Sequence, residues 1–223
     1  MYELHGDSAM SEMTHGPHPQ RPRRKGEVIG SGIRYSRGYL PHYELSAKIQ
    51  MVTYRLADAL PGSVVERLKR KGIRDAKQDE YRRQVENYMD AGHGACWLAK
   101  PAMAAAVRDA WLYFDQQRYF LHAWVIMPNH VHLLLAENPP WTLSSIVKSW
   151  KGYSARKINQ ILGRQGTVWQ RDYWDRYIRN REHYENAKQY IYENPMKTGL
   201  VDRGEQWKWS SWNEAKTKGE EPV

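Results

Sequence analysis

What the chain holds little of narrows it first. Among 223 residues there is one cysteine, Cys96. An intramolecular disulfide is therefore excluded, and so is a zinc site built from several thiolates. No apolar run approaches the roughly 20 residues of a membrane-spanning helix, and the N-terminus lacks the apolar stretch of a secretory signal. The expectation is a reducing, intracellular location and no membrane partner. Phenylalanine is scarce as well, two against ten Trp and fifteen Tyr. Trp and Tyr join a flat face to a polar edge, which is what stacking on bases requires. Acidic residues are outnumbered 25 to 34, a net charge of +9. That surplus favours a polyanionic partner, nucleic acid above all. A basic surface rimmed by amphipathic aromatics explains the same numbers without any chemistry.

Composition divides the chain in three. Residues 1–32, with "PHPQRPRRKG" from Pro17 to Gly26, read as a flexible basic arm, residues 33–213 as one domain, and 214–223 as a frayed tail. Within the domain the hydrophobic period alternates. Ala47 to Ala57 reads as a strand, and Pro61 and Gly62 open a helix. Asp79 to Gly92 is a charged amphipathic helix, and Pro101 to Asp115 is a helix with Pro in its first turn. "RYFLHAWVIMPN" and "HVHLLLAE" are two strands joined tightly. Thr142 to Leu162 is a helix with an apolar stripe and a basic opposite face. Val168 to Arg179 suggests a strand, and Asn180 caps a last helix that Pro195 stops. Strand–helix–strand–strand–helix–strand predicts an α+β sandwich of the ferredoxin-like, RNA-recognition type. Its antiparallel sheet should carry helices on one face, with extra helices inserted after the first strand.

Two segments carry candidate chemistry. In "MPNHVHLLL", His130 and His132 sit at i and i+2 of a strand, so their imidazoles share one face. Two neutral imidazoles so placed can share a divalent ion. A polar strand face with ordinary hydrogen bonds produces the same spacing. In "YENAKQYIYENP", Tyr184, Ala187 and Ile191 form one seam at 100° per residue, the face that should pack on the sheet. Tyr190 and Asn194 stack one turn apart on a flank of that seam, and Tyr192 falls on the other flank. Asn194 offers a hard amide oxygen to Mg²⁺ or Mn²⁺, and Tyr190 a phenol that could serve as nucleophile. A rim tyrosine and a helix-ending asparagine fit the pattern equally well.

Taken together and in order, "WVIMPNHVHLLL", a basic helix, "VWQRDYWDRYIRN" and "YIYENPMKTGLV" resemble the REP-associated tyrosine transposases. These are insertion-sequence-200-like members of the single-tyrosine HUH nucleases. The resemblance runs from about residue 36 to residue 212, including "RGYLPHYE" and "WKWSSW". It implies that His130 and His132 bind a catalytic Mg²⁺ or Mn²⁺, that Tyr190 is the nucleophile, and that Asn194 stands where a third ligand is offered. It implies cleavage and rejoining of single-stranded, hairpin-forming repeat DNA through a 5′-phosphotyrosine, in a bacterial, nucleoid-associated setting. A monomer is expected, with a homodimer as the other form. Lys148, Lys151, Arg156 and Lys157 on the basic helix, with Arg171, Arg176 and Arg179, are candidate DNA-backbone contacts. Trp150, Trp169, Tyr173 and Trp174 are candidate stacking platforms. Two other readings stay open: a non-enzymatic nucleic-acid-binding module on an RNA-recognition-like fold, and a metallophosphodiesterase that activates water. The sequence offers no convincing general base.

Overall fold

The computed structural model describes residues 33–34, 42–43, 48–64, 66 and 78–212. The expected arm and tail, and most of "RGYLPHYE", lie outside them. The elements run β1 (Ile33–Arg34), β2 (His42–Tyr43), β3 (Ile49–Arg55), α1 (Gln78–Asp90), α2 (Pro101–Leu112), β4 (Tyr119–Ile126), β5 (His130–Glu137), α3 (Leu143–Ile161), β6 (Trp174–Tyr177) and α4 (Arg181–Lys197). β1 and β2 make a short antiparallel ribbon. The other four strands form an antiparallel sheet in the order β4-β5-β3-β6. This is the order of the ferredoxin-like sandwich, with α2 and α3 as its two crossovers.

Strand alternation sorts the buried residues into two layers. Val52 and Tyr54 of β3, Trp124 and Ile126 of β4, and Val131, Leu133 and Leu135 of β5 point one way. There they meet Val107 and Trp111 of α2 and Ile146, Val147 and Trp150 of α3. Ala123, Val125, Leu134 and Ala136 point the other way, onto Tyr184, Ala187 and Ile191 of α4. The crossover helices share one face as expected, and the tyrosine helix closes the other through the seam that its period marked out. The helices thus lie on both faces.

Among the described residues, Trp111, Trp124, Trp150, Trp169 and Trp209 and the tyrosines Tyr54, Tyr119 and Tyr184 are buried. Trp111 Nε1 donates to the Tyr54 hydroxyl (2.8 Å), Trp150 Nε1 to the Tyr119 hydroxyl (2.8 Å), and Tyr119 to the Trp111 carbonyl (2.6 Å). Trp169 Nε1 donates to Ser154 Oγ (3.0 Å), which donates to the Trp150 carbonyl. Each polar edge finds a buried partner, which is the condition for burying such residues at all. Trp150 and Trp169 are therefore core and not base-stacking platforms, while Tyr173 and Trp174 are half-buried beside it.

Local signals set the helix ends. Thr142 Oγ1 accepts from the Ser145 N–H at 3.4 Å, and Asn180 Oδ1 from the His183 N–H at 2.8 Å. The last strand is shorter than the sequence suggests, four residues, and among the described residues pairs with β3 alone. Pro195 does not stop α4, which runs on to Lys197. A proline lacks one N–H and crowds the previous turn, but in the last turn the chain loses only one ladder bond. Asn194 therefore stays in helical phase with Tyr190. Beyond α4, residues 207–211 return along β4: the Ile126 N–H donates to the Trp209 carbonyl (2.9 Å), Trp207 Nε1 to the Ile126 carbonyl (2.8 Å), and Ser211 Oγ accepts from the Trp124 N–H (3.0 Å).

Candidate active site

The two histidines open β5, on the face covered by α4. His130 is 1% exposed and His132 is fully buried. Each is held by a different neighbour. Asn129 Nδ2 donates to the Met89 and His93 carbonyls at 3.0 and 2.9 Å, which turns Oδ1 towards His130. His130 Nδ1 donates to that oxygen at 2.7 Å. Thr53 of β3, the register partner of His132, places Oγ1 2.7 Å from His132 Nδ1. Both Nε2 atoms then face each other 3.1 Å apart. Burial pushes the His132 pKa down to about 3. It holds that of His130 well below the usual 6.5, the adjacent His132 adding to the effect. Both rings are thus neutral, the form that binds metals.

α4 brings the other two residues to the pair. The Tyr190 ring stands edge-on to His132, centroids 5.2 Å apart. Asn194 is 1% exposed and its Nδ2 lies 3.5 Å from His132 Nε2. Its Oδ1 is buried without a hydrogen-bond partner. Lys197, two turns after Tyr190, holds Nζ 5.5 Å from the Tyr190 ring centroid while pairing with Glu193 at 2.9 Å. Tyr192 turns away, packing edge-on against Trp212 with centroids 4.8 Å apart.

These residues fit a hard divalent ion. The unprotonated His130 Nε2 faces its neighbour's Nε2, and a buried amide oxygen waits without a donor. Orphaned acceptors of this kind are what a cation satisfies. Among the described residues no three His, Cys, Asp or Glu side chains form a ready ligand cluster. A third donor must then be of another type, as Asn194 is, or move in.

The expected DNA contacts scatter. α3 lies against the sheet face opposite the histidines. Its exposed Lys148, Arg156 and Lys157 are therefore separated from the pair by the sheet. A crossover between neighbouring layers leaves no other place for them. Lys151 is not an exposed groove residue: its half-buried ammonium donates to the Gln170 and Arg171 carbonyls at 2.6 and 2.8 Å. It ties α3 to the chain entering β6. Arg171 and Arg179 are exposed in the segments flanking β6. Arg176, exposed on β6 and paired with Met51, is on the histidine face.

Sequence reasoning missed four neighbours. Thr53 and Arg55 alternate on β3, and Arg55, 8% exposed, lies across from His130. Their signal is only the period of two. Asn129 sits inside the histidine motif, where its role is readable once a tight strand connection is assumed. Asp90 comes from the end of α1, 40 residues from His130, and no local pattern marks it.

Comparison with known proteins agrees with the motifs. The family described as Transposase IS200 like matches residues 110–194. A REP-associated tyrosine transposase of Escherichia coli is 28% identical over 122 residues, 52% of this chain and 69% of the relative. A Haemophilus influenzae relative assigned to the same group is 31% identical over 99 residues, 40% of this chain and 56% of that protein. A solved REP-associated tyrosine transposase bound to a REP hairpin is 20% identical, with a TM-score of 0.48, over 81% of this chain and 86% of that one. In sequence, this chain is similar to REP-associated tyrosine transposases, and the segment that matches the family described as Transposase IS200 like contains His130, His132 and Tyr190 and ends on Asn194.

Proposed function

We propose that the protein cleaves and rejoins single-stranded, hairpin-forming repeat DNA through a covalent link to Tyr190. The observation that carries this reading is the approach of α4 to β5, which sets Tyr190 and Asn194 against His132. The two motifs come from different elements, β5 and α4, and meet only through the fold.

His130 and His132 would hold a divalent ion, Mg²⁺ or Mn²⁺, through Nε2, and Asn194 through Oδ1 once its amide turns. Such an ion supplies Lewis-acid polarisation of a phosphate and relieves charge on a leaving oxygen. Asn129 and Thr53 fix the Nδ1 atoms, so the ligand lone pairs are aimed before substrate arrives. Tyr190 Oη attacks phosphorus in line, its phenol proton is lost, and the P–O3′ bond breaks. The products are a 5′-phosphotyrosine and a 3′-oxygen that takes up a proton. The phosphodiester bond energy is kept in the new ester, so another 3′-hydroxyl can reverse the step without ATP. A phenol with a pKa near 10 is a weak nucleophile at neutral pH. The Lys197 ammonium, 5.5 Å from the ring centroid and paired with Glu193, is a cation beside the tyrosine. The net charge of +9 supports a DNA partner. The hairpin-bound relative suggests a folded repeat. No helix among the described residues is long and apolar enough to cross a membrane, and we take the setting to be a bacterial cytoplasm. We take the acting form to be a monomer.

Incubation with a hairpin-bearing single-stranded oligonucleotide and Mg²⁺ or Mn²⁺, followed by a denaturing gel, should show a protein–DNA adduct. Cleavage that persists in Tyr190→Phe would instead favour water as nucleophile. Binding without cleavage in any metal would favour a non-enzymatic module.

A further inference from the structure

The inserted helix ends on the histidine pair. Asp90, the last residue of α1, has Oδ1 3.5 Å from His130 Nε2, the ring atom left free to bind an ion. The approach is built. Asn129 holds the end of α1 by donating to the Met89 carbonyl while it accepts from His130. Val85 and Met89 are buried with Leu60 and Val64, so the helix end is anchored by an apolar cluster of its own. Asp90 Oδ1 is shielded from water and accepts no hydrogen bond. Because His130 commits its Nδ1 proton to Asn129, a neutral His130 has only a lone pair to show the carboxylate. Two acceptor atoms thus face each other across 3.5 Å, an arrangement that a cation between them turns from repulsive to favourable.

We infer that Asp90 is a further ligand of the divalent ion held by His130 and His132, contributed by the inserted helix from outside the IS200-like segment. This rests on the metal-binding reading of the histidine pair. With bonds near 2.1 Å, adjacent donors of an octahedral ion lie about 3.0 Å apart. The ligand-atom contacts Asp90 Oδ1–His130 Nε2 and His130 Nε2–His132 Nε2 are 3.5 and 3.1 Å, and Asn194 closes the arc with Nδ2 3.5 Å from His132 Nε2, so that a turn of its amide would present Oδ1 there. Asp90 reaches one imidazole and not both, so the carboxylate must swing inward to complete the sphere. With its side chain 30% exposed, it is the freest of the four groups. The chemistry asks for it. Two imidazoles and an amide are all neutral, whereas Mg²⁺ and Mn²⁺ are hard ions bound chiefly through carboxylate and other oxygens. Asp90 is the anionic oxygen donor in contact with the pair.

The test is Mn²⁺ binding to the full chain without DNA, by calorimetry or by the spin-resonance signal of free Mn²⁺. The variants are Asp90→Asn, Asp90→Ala and His130→Ala, with circular dichroism to verify folding. Asp90→Asn keeps the shape and removes the charge. Both Asp90 variants should weaken Mn²⁺ binding by about tenfold or more, and His130→Ala should remove it. Wild-type affinity in both Asp90 variants, with binding lost in His130→Ala, overturns this inference and leaves the histidine site standing. Unchanged binding in His130→Ala overturns the histidine site and Asp90 with it.

Discussion

The two faces of the sheet are built by different rules. The face under α2 and α3 is filled with Trp and Tyr whose polar atoms pair with one another, as Trp111 with Tyr54 and Trp150 with Tyr119. The face under α4 buries His130, His132 and Asn194 beside Leu134 and Ile191, and leaves Asn194 Oδ1 and Asp90 Oδ1 without hydrogen bonds. Both faces come from the same strands, residue by alternate residue. In the first, most buried polarity is spent on packing, Asn159 Oδ1 of α3 being the exception among its described residues. The second is unfinished, since burying an acceptor without a partner costs about 1–3 kcal/mol. A fold keeps such atoms where something else is to meet them.

That contrast can be broken from either side. The largest effect should follow Tyr190→Phe, which keeps the ring against His132 and removes the oxygen proposed to attack. No adduct should form on a denaturing gel, while the melting temperature stays within a few degrees of wild type. On the other face Trp111→Ala should do the reverse, costing about 3–5 kcal/mol in denaturant unfolding, with little loss of cleavage per folded molecule. If Trp111→Ala leaves stability intact, the account of the first face is wrong.

Asn129→Ala touches both rules. It leaves the Met89 and His93 carbonyls short of a donor and frees the His130 ring. Stability should drop by about 1–3 kcal/mol and, on the proposed metal site, Mn²⁺ affinity by roughly 10–100-fold, the usual cost of losing the partner of a metal-binding histidine. A stability loss with unchanged affinity would deny Asn129 any part in aiming the ring.

The buried histidines also set a pH response. His122 of β4, its Nδ1 3.2 Å from the Tyr184 hydroxyl, has its pKa pushed down to about 4, by burial and then by Lys188. The folded chain keeps it neutral while the unfolded chain takes up a proton below about pH 6.5. Stability contributed by His122 is therefore present above that pH and lost as pH falls from about 6.5 towards 4, by up to about 1.4 kcal/mol per pH unit. His130 and His132 act in the same direction. Unfolding curves of His122→Gln at pH 7 and pH 5 should differ less than those of wild type; an equal difference would remove His122 from the account.

The smallest effect should come from the charges on α3. Arg156→Ala and Lys157→Ala, on the far side of the sheet, should change hairpin affinity less than Arg176→Ala on the histidine face, as read by filter binding across a salt series. The opposite ranking would move the DNA path to the crossover helices.

The fold was largely legible because its signals are local. Alternation marked β4 and β5, and the Asn180 cap marked the start of α4. Tyr190 and Asn194 could be placed on one flank because helical phase is set by counting, and the phase survived Pro195. Three things did not follow. The Trp surplus looked like a surface for bases, because sequence cannot tell a satisfied indole from an exposed one. The basic residues of α3 looked like one groove with the site, because a helical wheel does not say which face of the sheet the helix covers. Lys151 looked exposed for the same reason. Asp90 was invisible, since its approach to His130 depends on how an inserted helix docks.

The strand β4 would present an open row of backbone groups along one border of the sheet. Residues 207–211 occupy part of it, and the Ile126 N–H and carbonyl are both taken by this return segment. Over that stretch no second copy can extend the sheet by adding its own strand, whatever the concentration. The chain closes with its own end a seam through which copies of an α+β sandwich could otherwise join into a continuous ribbon.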